Sequence, residues 1–136
     1  MNGKIIRTVE NIAASAERFS SAKVGAVLAI RNEIISIGFN QKKTHPLQRR
    51  FSKNEDCIYL HAEIDAIKNA LRLNDPELLS KCTLYVSRVK CVSTHDKTLI
   101  LGIAKPCAGC MKAIRKYRIP EVIYSTDENT YEYLVR

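Results

Sequence analysis

The sequence predicts an α/β fold, a three-layer α-β-α sandwich with a central mixed sheet, in a single domain covering residues 1–136. Three observations predict it. Apolar residues recur at helical spacing in three separate segments. Short runs rich in β-formers lie between those segments, so helices and strands interleave, as in layered α/β proteins. The chain has 136 residues, a length that fits one hydrophobic core.

The elements follow in order. Thr8 to Phe19 reads as a helix, with Val9, Ile12, Ala13, Ala16 and Phe19 on one stripe and Thr8 as a possible cap. Val24 to Ile30 reads as a strand, Arg31-Asn32-Glu33 as a tight turn, and Ile34 to Phe39 as the returning strand of a hairpin. A polar loop is expected from Asn40 to about Cys57, a length more common in functional loops than in simple connections. Tyr59 to Arg72 predicts a helix lined by Leu60, Ile64, Ile67 and Leu71, and Asn74-Asp75-Pro76 breaks it. Thr83 to Val89 predicts a strand, Ser93 to Lys97 a turn, and Thr98 to Ile103 a returning strand. Cys107 to Tyr117, directly after Pro106, predicts a helix, and Glu121 to Ser125 a short buried strand. In the tail, Tyr131, Tyr133 and Val135 alternate as in a strand, although a short helix fits as well.

Composition narrows the function classes. The N-terminal residues lack the apolar core of a secretory signal, and no apolar run approaches the roughly 20 residues of a membrane span. The expectation is a soluble, intracellular, cytoplasmic protein with no membrane partner. Five cysteines, an odd number, argue against a disulfide framework in such a setting. Lys and Arg exceed Asp and Glu by 22 to 14, a net charge of +8. That balance suits an anionic partner, either nucleotide phosphate or nucleic acid, though basic proteins with no such partner are common.

Two short motifs carry chemistry. His61-Ala62-Glu63 opens the second predicted helix, and Pro106-Cys107-Ala108-Gly109-Cys110 opens the third. One imidazole and two thiolates form a three-ligand set that suits Zn2+ and leaves one tetrahedral position for water. Cys107 and Cys110 are spaced to share one helix face. Both motifs sit at predicted helix N-termini, where the helix dipole favours thiolate over thiol. Glu63 is not expected as a ligand; two residues from His61, it can lie beside the metal-bound water. It can take a proton from water that zinc has made acidic, and return it to a leaving group.

His-x-Glu followed by Pro-Cys-x-x-Cys is the signature of zinc nucleobase deaminases, and the chain resembles the cytidine/deoxycytidylate deaminase superfamily, in particular the branch with deoxycytidylate deaminases and tRNA adenosine deaminases. The similarity runs from about Val24 to Ser125. Val24-Gly25-Ala26-Val27 is similar to the family's first strand, and Gly38-Phe39-Asn40 to its Gly-aromatic-Asn segment. His61 to Ile67 resembles the helix carrying a zinc ligand and the proton shuttle. Thr83-Leu84-Tyr85-Val86, the cysteine motif and Ile119 to Tyr124 resemble the elements that follow. The resemblance implies a cytidine deaminase-like fold with His61, Cys107 and Cys110 on zinc and Glu63 as the catalytic group. It also implies a hydrogen bond from Asn40 to a substrate sugar, and contact of Val27 and the Ala62 backbone with the base. Relatives of this kind commonly form homo-oligomers. One departure stands out. Ser87 to Lys105 intervenes where typical members run almost directly from the Tyr-Val strand into the Pro-Cys motif.

The reaction so implied is hydrolytic deamination of a cytosine-containing nucleotide, similar to dCMP or CMP, giving the uracil form and ammonia. A deaminase acting on cytosine or adenine in single-stranded DNA or RNA is an alternative, motivated by charge. Lys42, Lys43, Arg49, Arg50 and Lys53 crowd the predicted loop without an acid. Arg49 or Arg50 could grip a 5′-phosphate, the segment could follow a polynucleotide backbone, or it could be solvated surface. A non-catalytic, zinc-stabilised binding module would need a fourth ligand such as His45 or Cys57. Cys-x-x-Cys alone also fits a redox dithiol. Cys57, Cys82 and Cys91 read as small apolar fillers, His45 and His95 as solvated, and Lys112, Arg115 and Lys116 as an exposed helix face.

Overall fold

The computed structural model describes residues 2–16, 23–51, 59–92 and 99–135. The expectations for Phe19, Lys53, Cys57, His95 and the 93–97 turn lie outside them. A six-stranded sheet runs in the order β2-β1-β3-β5-β6, with β4 pairing β3 off that path. The strands are β1 (Lys23–Ile30), β2 (Glu33–Phe39), β3 (Thr83–Val92), β4 (Leu99–Gly102), β5 (Glu121–Ser125) and β6 (Tyr131–Val135). β3 and β5 are parallel and every other pairing is antiparallel, so the sheet is mixed. β3 is long enough to hold β5 along residues 83–86 and β4 along residues 88–92.

Helix α1 (Gly3–Ser15) covers one face of this sheet. Its Ile5 and Val9 pack on Val27, Ala29, Tyr85 and Ile123, and Ala13 on Val89 and Leu101. The other face carries α3 (Ala62–Leu73) and α4 (Ala108–Lys116), whose Ile64, Ile67 and Ile114 pack on Ala26, Leu28, Leu84, Val86 and Val122. Alternate residues of β1, β3 and β5 thus feed opposite cores, which makes the three layers. Two glycines permit the close approach. A Cβ on Gly25 would lie 2.7 Å from the Ala13 nitrogen of α1. A Cβ on Gly38 would lie 2.4 Å from Ala66 N and 2.5 Å from Ala62 O of α3.

Several boundaries differ from the sequence reading. α1 begins at Gly3, not Thr8, because the Asn2 side chain accepts from the amides of Lys4 and Ile5. The Thr8 hydroxyl instead donates back to Lys4 O at 3.0 Å. The loop expected after Asn40 contains a short helix, α2 (Pro46–Phe51), with proline in its first position. The chain break at Asn74-Asp75-Pro76 continues as a 3-10 segment, Pro76–Lys81, capped by Asp75. β3 extends past Val89 because β4 gives it a partner. The ambiguous tail is strand, β6, joined to β5 by a tight turn. No helix among the described residues is long and apolar enough to cross a membrane.

Candidate metal and active site

His61 and Cys107 are the N-cap residues of α3 and α4. The two helix starts therefore face one another across the site. His61 makes no side-chain cap, because its imidazole is turned toward the thiols. Nδ1 lies 3.4 Å from Cys110 Sγ and 3.6 Å from Cys107 Sγ. All three candidate ligand atoms lie within 4.8 Å of one another. A tetrahedral zinc with Zn–S of about 2.3 Å and Zn–N of about 2.0 Å separates nitrogen from sulfur by roughly 3.5 Å. The observed spacing fits that geometry, and the donor set fits Zn2+. The cap role of Cys107 contributes as well, since its Sγ accepts from the Cys110 amide at 3.5 Å.

Electrostatics support the same site. Hydrogen bonds from the Cys110 thiol and the His61 imidazole lower the Cys107 thiol to about 3. Donation to Cys107, together with burial, raises Cys110 well above the thiol range. The hydrogen bond to Cys107 raises His61. Glu63 is buried, and burial raises its carboxyl above the ordinary range. A carboxyl whose pKa burial has raised holds a proton more readily, which suits a group that both accepts and donates one.

Two side chains not singled out from sequence position these groups. Gln48, on α2 and buried, accepts the His61 backbone N–H at 3.0 Å through Oε1. Asp65, on α3 and buried, accepts from Phe39 N at 3.2 Å and Gln41 Nε2 at 2.8 Å, and pairs with Lys68 at 2.9 Å. Asp65 thus holds the chain on both sides of Asn40. The only advance signal for Asp65 was its place in the His61–Ile67 run. For Gln48 there was none.

The remaining predicted residues divide by position. Asn40 is buried at the end of β2, and its Oδ1 accepts from Val24 N at 2.9 Å. Ala62 is buried at the start of α3, with its carbonyl over Gly38. Val27 faces the other way. It packs with Ile5, Val9, Tyr85 and Ile123 on the α1 side, so the sheet separates its side chain from Glu63. Its strand is buried on both faces, which hides this parity in the sequence. Arg49 and Arg50 lie exposed on α2, with the Arg50 guanidinium 5.4 Å from the Phe51 ring centroid. Phe51 itself is buried edge-on against Tyr117, which caps the end of α4, and is not open for base stacking. His45 stands outside the metal group, and its Nδ1 accepts from Leu47 N at 3.0 Å. Cys82 is a buried filler, as expected.

A family model described as "Cytidine and deoxycytidylate deaminase zinc-binding region" matches residues 2–126. Solved structures share the fold at low identity. A dCMP deaminase from the cyanophage S-TIM5 is 21% identical over 93% of this chain and 86% of its own, with a TM-score of 0.60. It has also been solved in complex with dCMP and dUMP. A cytidine deaminase from Burkholderia pseudomallei is 19% identical over 99% and 93%, with a TM-score of 0.65. A guanine deaminase from Bacillus subtilis is 22% identical over 93% and 65%, with a TM-score of 0.55. No curated protein matches the sequence significantly.

Proposed function

Because the chain belongs to the cytidine and deoxycytidylate deaminase zinc-binding family, we propose that it hydrolyses the exocyclic amine of a cytosine-containing nucleotide, similar to dCMP or CMP. Water adds at C4, the C4–N bond breaks, and the products are the uracil nucleotide and ammonia. The observation that carries this reading is the convergence of His61 Nδ1, Cys107 Sγ and Cys110 Sγ beside a buried Glu63. Zinc, when bound by those three side chains, supplies an acidified water.

The chain's own residues do the rest. Glu63 accepts a proton from the attacking water, passes one to the ring nitrogen, and protonates the departing amine. Burial, by keeping its pKa high, suits a group that must both take and give a proton. The Ala62 backbone faces the base, and the Asn40 carboxamide, clamped to Val24, holds the sugar. Gln48 fixes where α3 begins, and with it His61 and Glu63. Arg49 and Arg50 provide exposed positive charge on the neighbouring helix.

Zinc-loaded protein incubated with dCMP should release ammonia stoichiometrically with dUMP. Absence of turnover on cytosine substrates from free base to oligonucleotide would sink the reading. A second reading, a deaminase of single-stranded DNA or RNA, is favoured by one observation. Lys42, Lys43, Arg49 and Arg50 are all exposed on one short stretch. Steep loss of oligonucleotide affinity with salt would support it.

A further inference from the structure

Arg88 stands in the same row of the sheet as Asn40, and we propose that it binds the 5′-phosphate of a mononucleotide substrate. The inference rests on the deaminase reading above and names the substrate's anionic group.

The placement follows from sheet register. Asn40 bonds Val24 through both its own amide and its Oδ1, and Val24 pairs with Arg88 across β1 and β3. These three residues form one row across the sheet. The preceding row is Gly38, Ala26 and Val86, and Ala62 of the site helix lies directly over Gly38. Val24 and Val86 belong to the core under α3 and α4, so Arg88, two residues beyond Val86, faces the site side and not α1. Two strand spacings put Arg88 about 10 Å from Asn40 along the row. A phosphate on a sugar held at Asn40 falls within reach of an arginine side chain from there.

The surroundings leave this guanidinium ready for an anion. On its far side Arg88 pairs with Gly102, where a Cβ would sit 3.2 Å from Arg88 Cδ. The glycine thus keeps the arginine stem's space clear, and β4 then leads through residues 103–106 to Cys107. The Arg88 amide is pinned to Ser125 Oγ at 3.0 Å. Its Nε is buried and, among the described residues, has no hydrogen-bond partner. A buried donor on a permanent cation is costly unless an acceptor arrives. The acid close by is already engaged. Asp127 Oδ1 takes Lys90 Nζ at 2.9 Å and the Ile103 amide at 3.2 Å. Asp127 also feels the Arg88 charge, but its Oδ1 hydrogen bonds go to Lys90 and Ile103 and none reaches the Arg88 Nε. A nucleotide's only strongly anionic group is its phosphate, whose oxygens match the guanidinium fork. Arg88 is the second residue of the Ser87–Lys105 segment, in which the sequence departs from the pattern it otherwise resembles.

The test uses zinc-loaded full-length chain as wild type, Arg88→Gln and Arg88→Lys. Its readouts are kcat/KM on dCMP and on deoxycytidine, and calorimetric affinity for dUMP, deoxyuridine and an oligonucleotide lacking a terminal phosphate. We expect Arg88→Gln to lower kcat/KM on dCMP roughly 10- to 100-fold, mainly through KM. Deoxycytidine should be unchanged, and the preference for dUMP over deoxyuridine should vanish. Arg88→Lys should fall between, and carries the same comparison if the glutamine variant does not fold. Equal loss on dCMP and deoxycytidine, or no loss on either, overturns the assignment. So does wild-type binding of dUMP no tighter than deoxyuridine, or of the oligonucleotide as tightly as dUMP. If wild type deaminates neither compound, the deaminase reading fails. Arg88-dependent preference for dUMP would then still sustain the phosphate site.

Discussion

The Gln48 carboxamide oxygen accepts the backbone N–H of His61 at 3.0 Å, so a side chain from one short helix sets where the metal-bearing helix begins. Gln48→Ala should leave that amide without its partner in a buried setting, at a cost of about 1–3 kcal/mol. Denaturant titration of the metal-free protein reads the loss, and competition with a chelator should show weaker zinc binding. Arg49→Ala, one residue along but exposed, should shift stability by less than about 0.5 kcal/mol. Equal effects of the two variants would contradict the role given to Gln48.

Glu63→Ala should retain stoichiometric zinc while deamination falls at least about 100-fold. Metal analysis and ammonia release on the same sample separate the two properties. Full activity in this variant would remove Glu63 from the mechanism.

Gly38→Ala should destabilise the chain by at least about 2 kcal/mol, because the new methyl meets backbone atoms of Ala62 and Ala66, which cannot rotate away. Gly3→Ala is the control. A Cβ there has nothing within 4 Å, and the better helix former should be neutral or stabilising by at most about 1 kcal/mol. Thermal melts of both variants against wild type decide the point.

Tyr131 joins β6 to the α1 side of the sheet, donating to Glu10 Oε2 at 2.7 Å and sharing a 2.5 Å hydrogen bond with Ser87 Oγ. Burial raises its hydroxyl above the ordinary value of 10.0. The folded state therefore holds this proton more tightly than the unfolded chain. Its contribution is fully present below pH 10 and is lost as pH rises from there toward the folded value. Tyr131→Phe should cost about 1–3 kcal/mol at neutral pH and flatten the alkaline decline. An unchanged slope of stability above pH 10 in the variant would refute this.

The sequence makes some of this legible and conceals the rest for definite reasons. His61, Glu63, Cys107 and Cys110 are readable because their chemistry is fixed by residue type and spacing, and their helices are long enough to show periodicity. α2 is not readable. Six residues are too few for a helix to stand on its own propensity, and it persists through Gln48 on His61 and Phe51 on Tyr117. Pro46 at its first position was the one local cue. The side of the sheet that Arg88 faces is equally hidden, since it depends on pairing with Val24, a partner 64 positions away in the chain. Val27 shows the converse case, a residue legible as strand whose side can be read only from register.

The brace formed by α2 has a consequence for how metal and fold are linked. One end of it grips the start of α3 and the other abuts the end of α4, so α2 helps to fix the gap between the two ligand-bearing helices. Ion capture then spends little of its free energy on assembling the site, unlike a zinc finger, whose folding and metal uptake are one event. Depleted protein should therefore stay folded, and thermal melts with and without a chelator should show similar midpoints.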